Sequence, residues 1–194
     1  MIIQGKYAYL YHEYINNFMG NQNTIDKVLD MNKNPDNILF RIGYSFAAGD
    51  MLTITLADKG KIFWGWDVDW NIESPEQESI CELISNLNAW RTGFAKRYLH
   101  LGKIVKAETV KGVGTYTMKR VDGNLMEYPD VFVTAYEAHD KTKGLVLTNY
   151  LCKEKEIVFD GERKILVNPN DENDSVVADR VTLKPMSAVI VESL

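Results

Sequence analysis

From Lys103 to Leu194 the chain is a succession of short apolar segments separated by turn formers, with no helix-period stretch between them. The segments expected as strands are 113–121, 131–138, 144–151, 156–160, 164–168 and 187–192. Between them stand Asp122-Gly123-Asn124, Asp140 to Gly144, Asp160-Gly161 and Asn168-Pro169-Asn170-Asp171. These residues favour turns because glycine reaches positive φ, proline fixes φ, and Asn or Asp side chains bond their own backbone. Asp160-Gly161 reads as a tight hairpin. The DENDS run at 171–175 reads as a surface loop. Strands at this spacing without intervening helices predict an antiparallel sandwich or small barrel over 102–194.

Residues 1–101 read differently, as mixed helix and strand. The strongest signal is a helix from about Pro75 to Leu101. Ser74 is a good N-cap, Pro75 suits the first helical position, and Gln77 stands where a capping box needs it. Ile80, Leu83, Ile84, Leu87, Trp90, Phe94, Tyr98 and Leu101 recur at spacings of three and four, giving one apolar face. Gly102 is the expected C-cap, with Lys96 and Arg97 near the negative end of the dipole. Tyr7 to Tyr11 is short, aromatic and apolar, and predicts a buried strand. Residues 24–31 predict a short helix capped by Thr24, residues 43–49 a helix or loop, and residues 50–57 a partial strand.

Composition removes several function classes. The 194 residues fall short of the roughly 250 that a complete (β/α)8 barrel needs. A 45% hydrophobic content supports a core without a metal or disulfide staple. Lys and Arg total 22 against 27 Asp and Glu, a formal charge of -5, which gives no support to a phosphate-backbone binder, so no nucleic-acid partner is expected. No run approaches the 18 or so apolar residues of a membrane span, and none is expected. Cys81 and Cys152, far apart, are expected as free thiols. With no zinc-ligand spacing, phosphate loop, dinucleotide fingerprint or nucleophile elbow, neither metal nor cofactor is expected.

Three places concentrate groups able to touch a ligand. His12-Glu13 follows the first apolar segment, where a carboxylate at the mouth of a strand could serve acid chemistry and the histidine could bond sugar hydroxyls. The same pair also reads as the polar start of a surface loop. Trp64, Trp66 and Trp70 lie with Asp67 and Asp69 in a single short run. Indole faces stack on sugar rings and carboxylates accept hydroxyl hydrogen bonds, so the run is a candidate carbohydrate contact; a buried core is the competing reading of the indoles. Asp50, after Gly49, leads into an apolar run and is either a ligand group or a cap. His100 and His139 are expected to be solvated.

Taken together, Tyr11-His12-Glu13-Tyr14 with Phe18-Met19-Gly20-Asn21, Phe46-Ala47-Ala48-Gly49-Asp50, Trp64-Gly65-Trp66-Asp67 and Tyr98-Leu99-His100-Leu101-Gly102 resemble the C-terminal portion of a glycoside-hydrolase-like protein. The closing Leu183-Lys184-Pro185-Met186-Ser187-Ala188-Val189-Ile190-Val191 looks like the last strand of the accessory sandwich in amylase-like enzymes. The resemblance implies an α+β chain in two parts: a partial, TIM-type barrel segment over 1–101 ending in a long helix, then an all-β antiparallel sandwich over 102–194. It further implies that the chain alone does not hydrolyse glycosides, because the strands that carry acid and nucleophile in many barrels lie upstream. The partners it implies are an oligosaccharide, and either the missing N-terminal barrel portion or further copies of the chain. A carbohydrate-binding module using Trp64, Trp66 and Trp70, and a structural or oligomerisation domain, are the alternatives.

Overall fold

The computed structural model describes residues 6–18, 37–53, 55–56, 62–63, 77–120 and 122–194. The expected helix at 24–31, its Thr24 cap, the Ser74 and Pro75 caps and the whole tryptophan run lie outside the described residues. The described elements form an α+β arrangement dominated by antiparallel sheet. In chain order they are α1 (Lys6–Tyr11), α2 (Asn37–Ala47), β1 (Thr55–Leu56), β2 (Ile62–Phe63), α3 (Gln77–Thr92), α4 (Lys96–Leu99) and β3 (Lys103–Val105). Then follow β4 (Thr115–Lys119), β5 (Leu125–Pro129), β6 (Phe132–Glu137), β7 (Lys143–Asn149), β8 (Lys155–Leu166), β9 (Ser175–Leu183) and β10 (Ser187–Glu192).

The main sheet has six strands in the order β3-β6-β7-β10-β8-β9, all antiparallel. Its central strands are buried on both faces, which is why β6, β7 and β10 read as unbroken apolar runs rather than as alternating ones. Alternate residues still divide cleanly. Phe132, Tyr136, Val146, Ala188 and Ile190 enter one apolar cluster with Ile38, Leu39, Ile42 and Phe46 of α2 and Ile80, Leu83, Leu87 and Trp90 of α3. Val133, Ala135, Leu145, Leu147, Val189 and Val191 enter a second cluster on the other face, with Ile157, Phe159 and Ile165 of β8. The first face is therefore covered by helices and by the β4–β5 ribbon, which pairs Thr115 to Lys119 with Pro129 to Leu125. The other face is closed by β8 and by Leu183 of β9. The apolar stripes of α2 and α3 supply the second layer.

Three local expectations are corrected. Tyr7 to Tyr11 lies in helix α1, not in a buried strand, and Tyr9, Leu10 and Tyr11 are exposed. The long helix stops at Thr92 and resumes only for α4. The break sits at Gly93, where a Cβ would come within 2.0 Å of the Pro169 carbonyl oxygen, and that oxygen accepts from Phe94 N at 2.8 Å. A loop from the far end of the sheet thus takes the place of the next helical turn. Finally, Asp160-Gly161 is not a hairpin turn. β8 runs through it with a register shift between Val158 and Arg163, and both arms pair with β9. Gly161 holds φ at 98°, so the turn-forming dipeptide is expressed as a bulge.

Candidate functional site

The C-terminal end of α2 builds the centre of the site. Gly49 N donates to Phe46 O and Asp50 N to Ser45 O, both at 2.9 Å, the paired bonds of a Schellman cap. Gly49 takes φ of 83°, and a Cβ there would lie 1.9 Å from His12 Nε2. Glycine is required twice over at this position, for its backbone and for the histidine it admits. Asp50, expected as a ligand group or a cap, is thus the residue that closes the helix.

Three other elements deliver side chains to this cap. From α3, Arg91 is buried and donates through Nη1 to Gly49 O at 2.5 Å and to Leu99 O at 2.8 Å, joining the ends of α2 and α4. From β6, Tyr136 is fully buried and donates to Ala47 O at 2.7 Å. From the turn after α1, His12 Nδ1 lies 2.6 Å from Gly102 O, with its ring 5.3 Å from that of Tyr136. Asn16, four residues on, places Oδ1 3.5 Å from Arg91 Nη2 and Nδ2 3.0 Å from His100 Nε2.

The electrostatics follow from burial. Desolvation pushes the Asp50 carboxyl up to about 6, against the pull of the Arg91 guanidinium. Its Oδ1 is buried and without a hydrogen-bond partner. Burial lowers the His12 imidazole, opposed by the Gly102 carbonyl. Burial also holds the Tyr136 phenol well above its ordinary range. Both Asp50 and His12 are shifted by burial and both feel the Arg91 guanidinium. Arg91, Tyr136 and His12 all donate to backbone carbonyls at helix ends, and Asp50 is the carboxylate that the described residues place beside Arg91.

The sequence candidates therefore divide. His12 and Asp50 meet at one junction, through Gly49 and Arg91. Glu13 is half-buried and makes none of the cluster's hydrogen bonds. Trp64, Trp66, Asp67 and Asp69 lie outside the described residues. His100, expected to be solvated, is half-buried and bonded to Asn16, whereas His139 is exposed. Arg91, Tyr136 and Asn16 escaped sequence reasoning. Arg91 directly follows the buried Trp90 and lies four residues past Leu87, a cation on the margin of an apolar stripe; that was the available signal. Among the described residues no group of three or more His, Cys, Asp or Glu side chains could hold a metal ion.

The Asp50 carboxyl gives a pH prediction with a definite sign. Its folded value of about 6 lies above the unfolded 3.8, so the folded state favours the protonated form. Its contribution to stability is full below the unfolded value and is lost as pH rises through the folded one. Asp50→Asn, which imitates the protonated carboxyl, should therefore raise the melting temperature above pH 6 or so and leave it unchanged near pH 4. A variant less stable than the wild type at every pH would mean that the Arg91 attraction outweighs burial.

Comparison of the chain with protein-family models, with curated proteins and with solved structures returned no match.

Proposed function

We propose that the chain is the C-terminal part of a glycoside-hydrolase-like protein, the last helices of a barrel seated on an accessory β-domain, and that its role is structural and carbohydrate-related rather than hydrolytic. The observation that supports the non-hydrolytic part of this reading is that His12, Arg91 and Tyr136 close on backbone carbonyls, with Asp50 the one carboxylate among the described residues of the cluster. Glycoside hydrolysis needs two carboxyl groups, about 5–5.5 Å apart for retention or 6.5–9.5 Å for inversion. On this reading the side chains of Arg91, His12 and Tyr136 serve to fasten α2, α3, α4 and the first segment to the sheet.

A second observation bears on partners. Tyr9, Leu10, Tyr14, Ile15 and Phe18 are all exposed, by 45% to 72%, along one short stretch. A series of this kind supports a surface for another protein part to cover. On this reading its cover is the remainder of the barrel, and a second copy of the chain substitutes when that remainder is absent. An oligosaccharide partner rests on the sequence run of Trp64, Trp66 and Trp70.

The test combines a panel of aryl glycosides for turnover with oligosaccharide titration followed by tryptophan fluorescence. No turnover is expected. Hydrolysis abolished by Asp50→Asn would overturn the reading, because one cluster would then do chemistry. Saturable quenching lost in Trp66→Ala would favour a carbohydrate-binding module. Light scattering on the isolated chain should find self-association that Tyr14→Ser with Phe18→Ser reduces; a monomer at all concentrations would remove the partner argument.

A further inference from the structure

β10 is paired along its whole length on one side and along half of it on the other. Its residues from Ser187 to Glu192 all pair with β7, whereas β8 pairs with Ile190, Val191 and Glu192 alone. The groups this leaves over follow from the alternation of an antiparallel ladder, in which successive residues bond to opposite neighbours. The bond from Ala138 N to Thr142 O, at 2.8 Å, continues the β6–β7 register and makes Gly144, Val146 and Thr148 the β7 residues that bond β6. Leu145, Leu147 and Asn149 therefore bond β10, through Val191, Val189 and Ser187. The N–H and C=O of Ala188 point the other way, towards the line of β8. The bond from Val167 N to Asp174 O, at 3.2 Å, gives the same phase from the far side: Val167 bonds towards β9, so Leu166 bonds Ile190, and Ala188 is the next β10 residue facing that way. There β8 has ended. Its chain turns to α3, where the Pro169 carbonyl accepts from Phe94 N. Ala188 is 4% exposed, and among the described residues neither its N–H nor its C=O has a hydrogen-bond partner.

A buried backbone donor and acceptor require partners. On that side Ala188 lines a cavity of about 490 Å³, walled by Ala89 and Trp90 of α3, Val181 of β9, and Val167 and Pro169. The polar side chains nearby are spent elsewhere: Asn86 Nδ2 donates to Met186 O and Ser187 Oγ to Lys184 O. We propose that this cavity is a slot for a short extended peptide, which takes the place that β8 vacates and pairs one of its residues with Ala188. A peptide residue in antiparallel pairing offers a C=O and an N–H on one edge, matching the pair that Ala188 presents. A lone amide, such as the acetamido group of a sugar, directs its N–H and C=O to opposite sides and satisfies one of the two. Directly opposite residues share a face of the sheet, and Ala188 belongs to the helix-side cluster. The paired peptide residue therefore meets α3, and its two neighbours meet the face on which Val181 packs. A small residue between two branched apolar ones fits that slot.

The probe is the capped tripeptide acetyl-Val-Ala-Val-amide, titrated into the isotope-labelled whole chain while amide resonances are followed. A saturable shift of the Ala188 amide is expected. Methylating the nitrogen of the probe's central alanine removes the donor to Ala188 O and should weaken binding about tenfold. Methylating the nitrogen of its first valine, which faces away from β10, should leave binding within about twofold. Ala89→Leu, which narrows the slot from α3, should abolish the shift; binding that survives it places the peptide elsewhere and overturns the proposal. Should that variant fail to fold, the two methylated probes decide. No saturable shift at about 10 mM peptide would overturn the proposal and leave both groups to water. Equal weakening by the two methylations would overturn it as well, because binding would not follow the ladder. Ala188 shifts that grow with protein concentration before peptide is added would give the slot to a second copy of the chain, again overturning it.

Discussion

Arg91→Ala is expected to destabilise the protein by about 3–5 kcal/mol, the cost typical of removing one partner from a buried charged network. Both Nη1 bonds disappear, leaving the carbonyls of Gly49 and Leu99 buried without their donor. Hydrogen bonds to a charged group are worth about 1.5–3 kcal/mol each, so two of them alone account for that range. The loss should also depend on pH. Arg91 is the charge that draws the Asp50 carboxyl down, so its removal raises that carboxyl further and makes the ionised form costlier. The gap between variant and wild type should therefore be wider above pH 6 or so than near pH 4. Arg91→Lys keeps the charge but not the fork, and should fall between the two. Urea denaturation at two pH values measures all of this, and a loss below about 1 kcal/mol would show that the junction is not held by its arginine.

Tyr150→Ala should cost about 3–5 kcal/mol by the same measurement. Tyr150 is fully buried where α2 meets the sheet, with its ring 5.5 Å from Phe40, 5.2 Å from Phe132 and 6.2 Å from Tyr116. Gly43 exists as glycine beside it: a Cβ there would lie 2.7 Å from that of Tyr150. Helix and tyrosine thus approach as closely as backbone permits, and truncation leaves a void that neither can fill. Tyr150→Phe isolates the hydroxyl, which donates to Pro129 O at 2.9 Å, and should cost about 1 kcal/mol. A Tyr150→Phe loss equal to that of Tyr150→Ala would place the energy in the hydrogen bond instead of the ring cluster.

What the sequence discloses depends on whether the deciding interaction is local. β6, β7 and β10 are apolar runs bounded by turn formers, and those signals place them within a residue or two. The end of α2 is legible for the same reason, since Gly49 and Asp50 belong to a cap written in adjacent residues. β9 is not legible. SVVADRVTL mixes charge with valine because the strand is a sheet edge, mostly exposed, and only its pairing with β8 makes it a strand. The tyrosines at 7, 9 and 11 suggest a strand because aromatic side chains suit a pleated, half-buried surface. Tyr9 and Tyr11 are exposed instead. The helix is closed instead by bonds from Tyr14 N and Ile15 N to Tyr11 O, and anchored by His12 reaching Gly102, ninety positions away. The candidate site shows the same divide: the residue types at His12 and Asp50 were visible, but their meeting through Arg91 is a property of packed helices.

The position of β10 between β7 and β8 sets the order in which this sheet can be assembled during translation. Both neighbours leave the ribosome before the strand that joins them, and residues are added at only about 5–20 per second. Until Ser187 to Glu192 emerge, β7 and the Lys164–Leu166 arm of β8 each present a row of unpaired backbone groups flanked by valine, leucine and isoleucine. Such rows are templates for pairing with a neighbouring nascent chain. Slowing the synthesis of residues 167–192 should thus raise aggregation on polysomes without altering the finished protein.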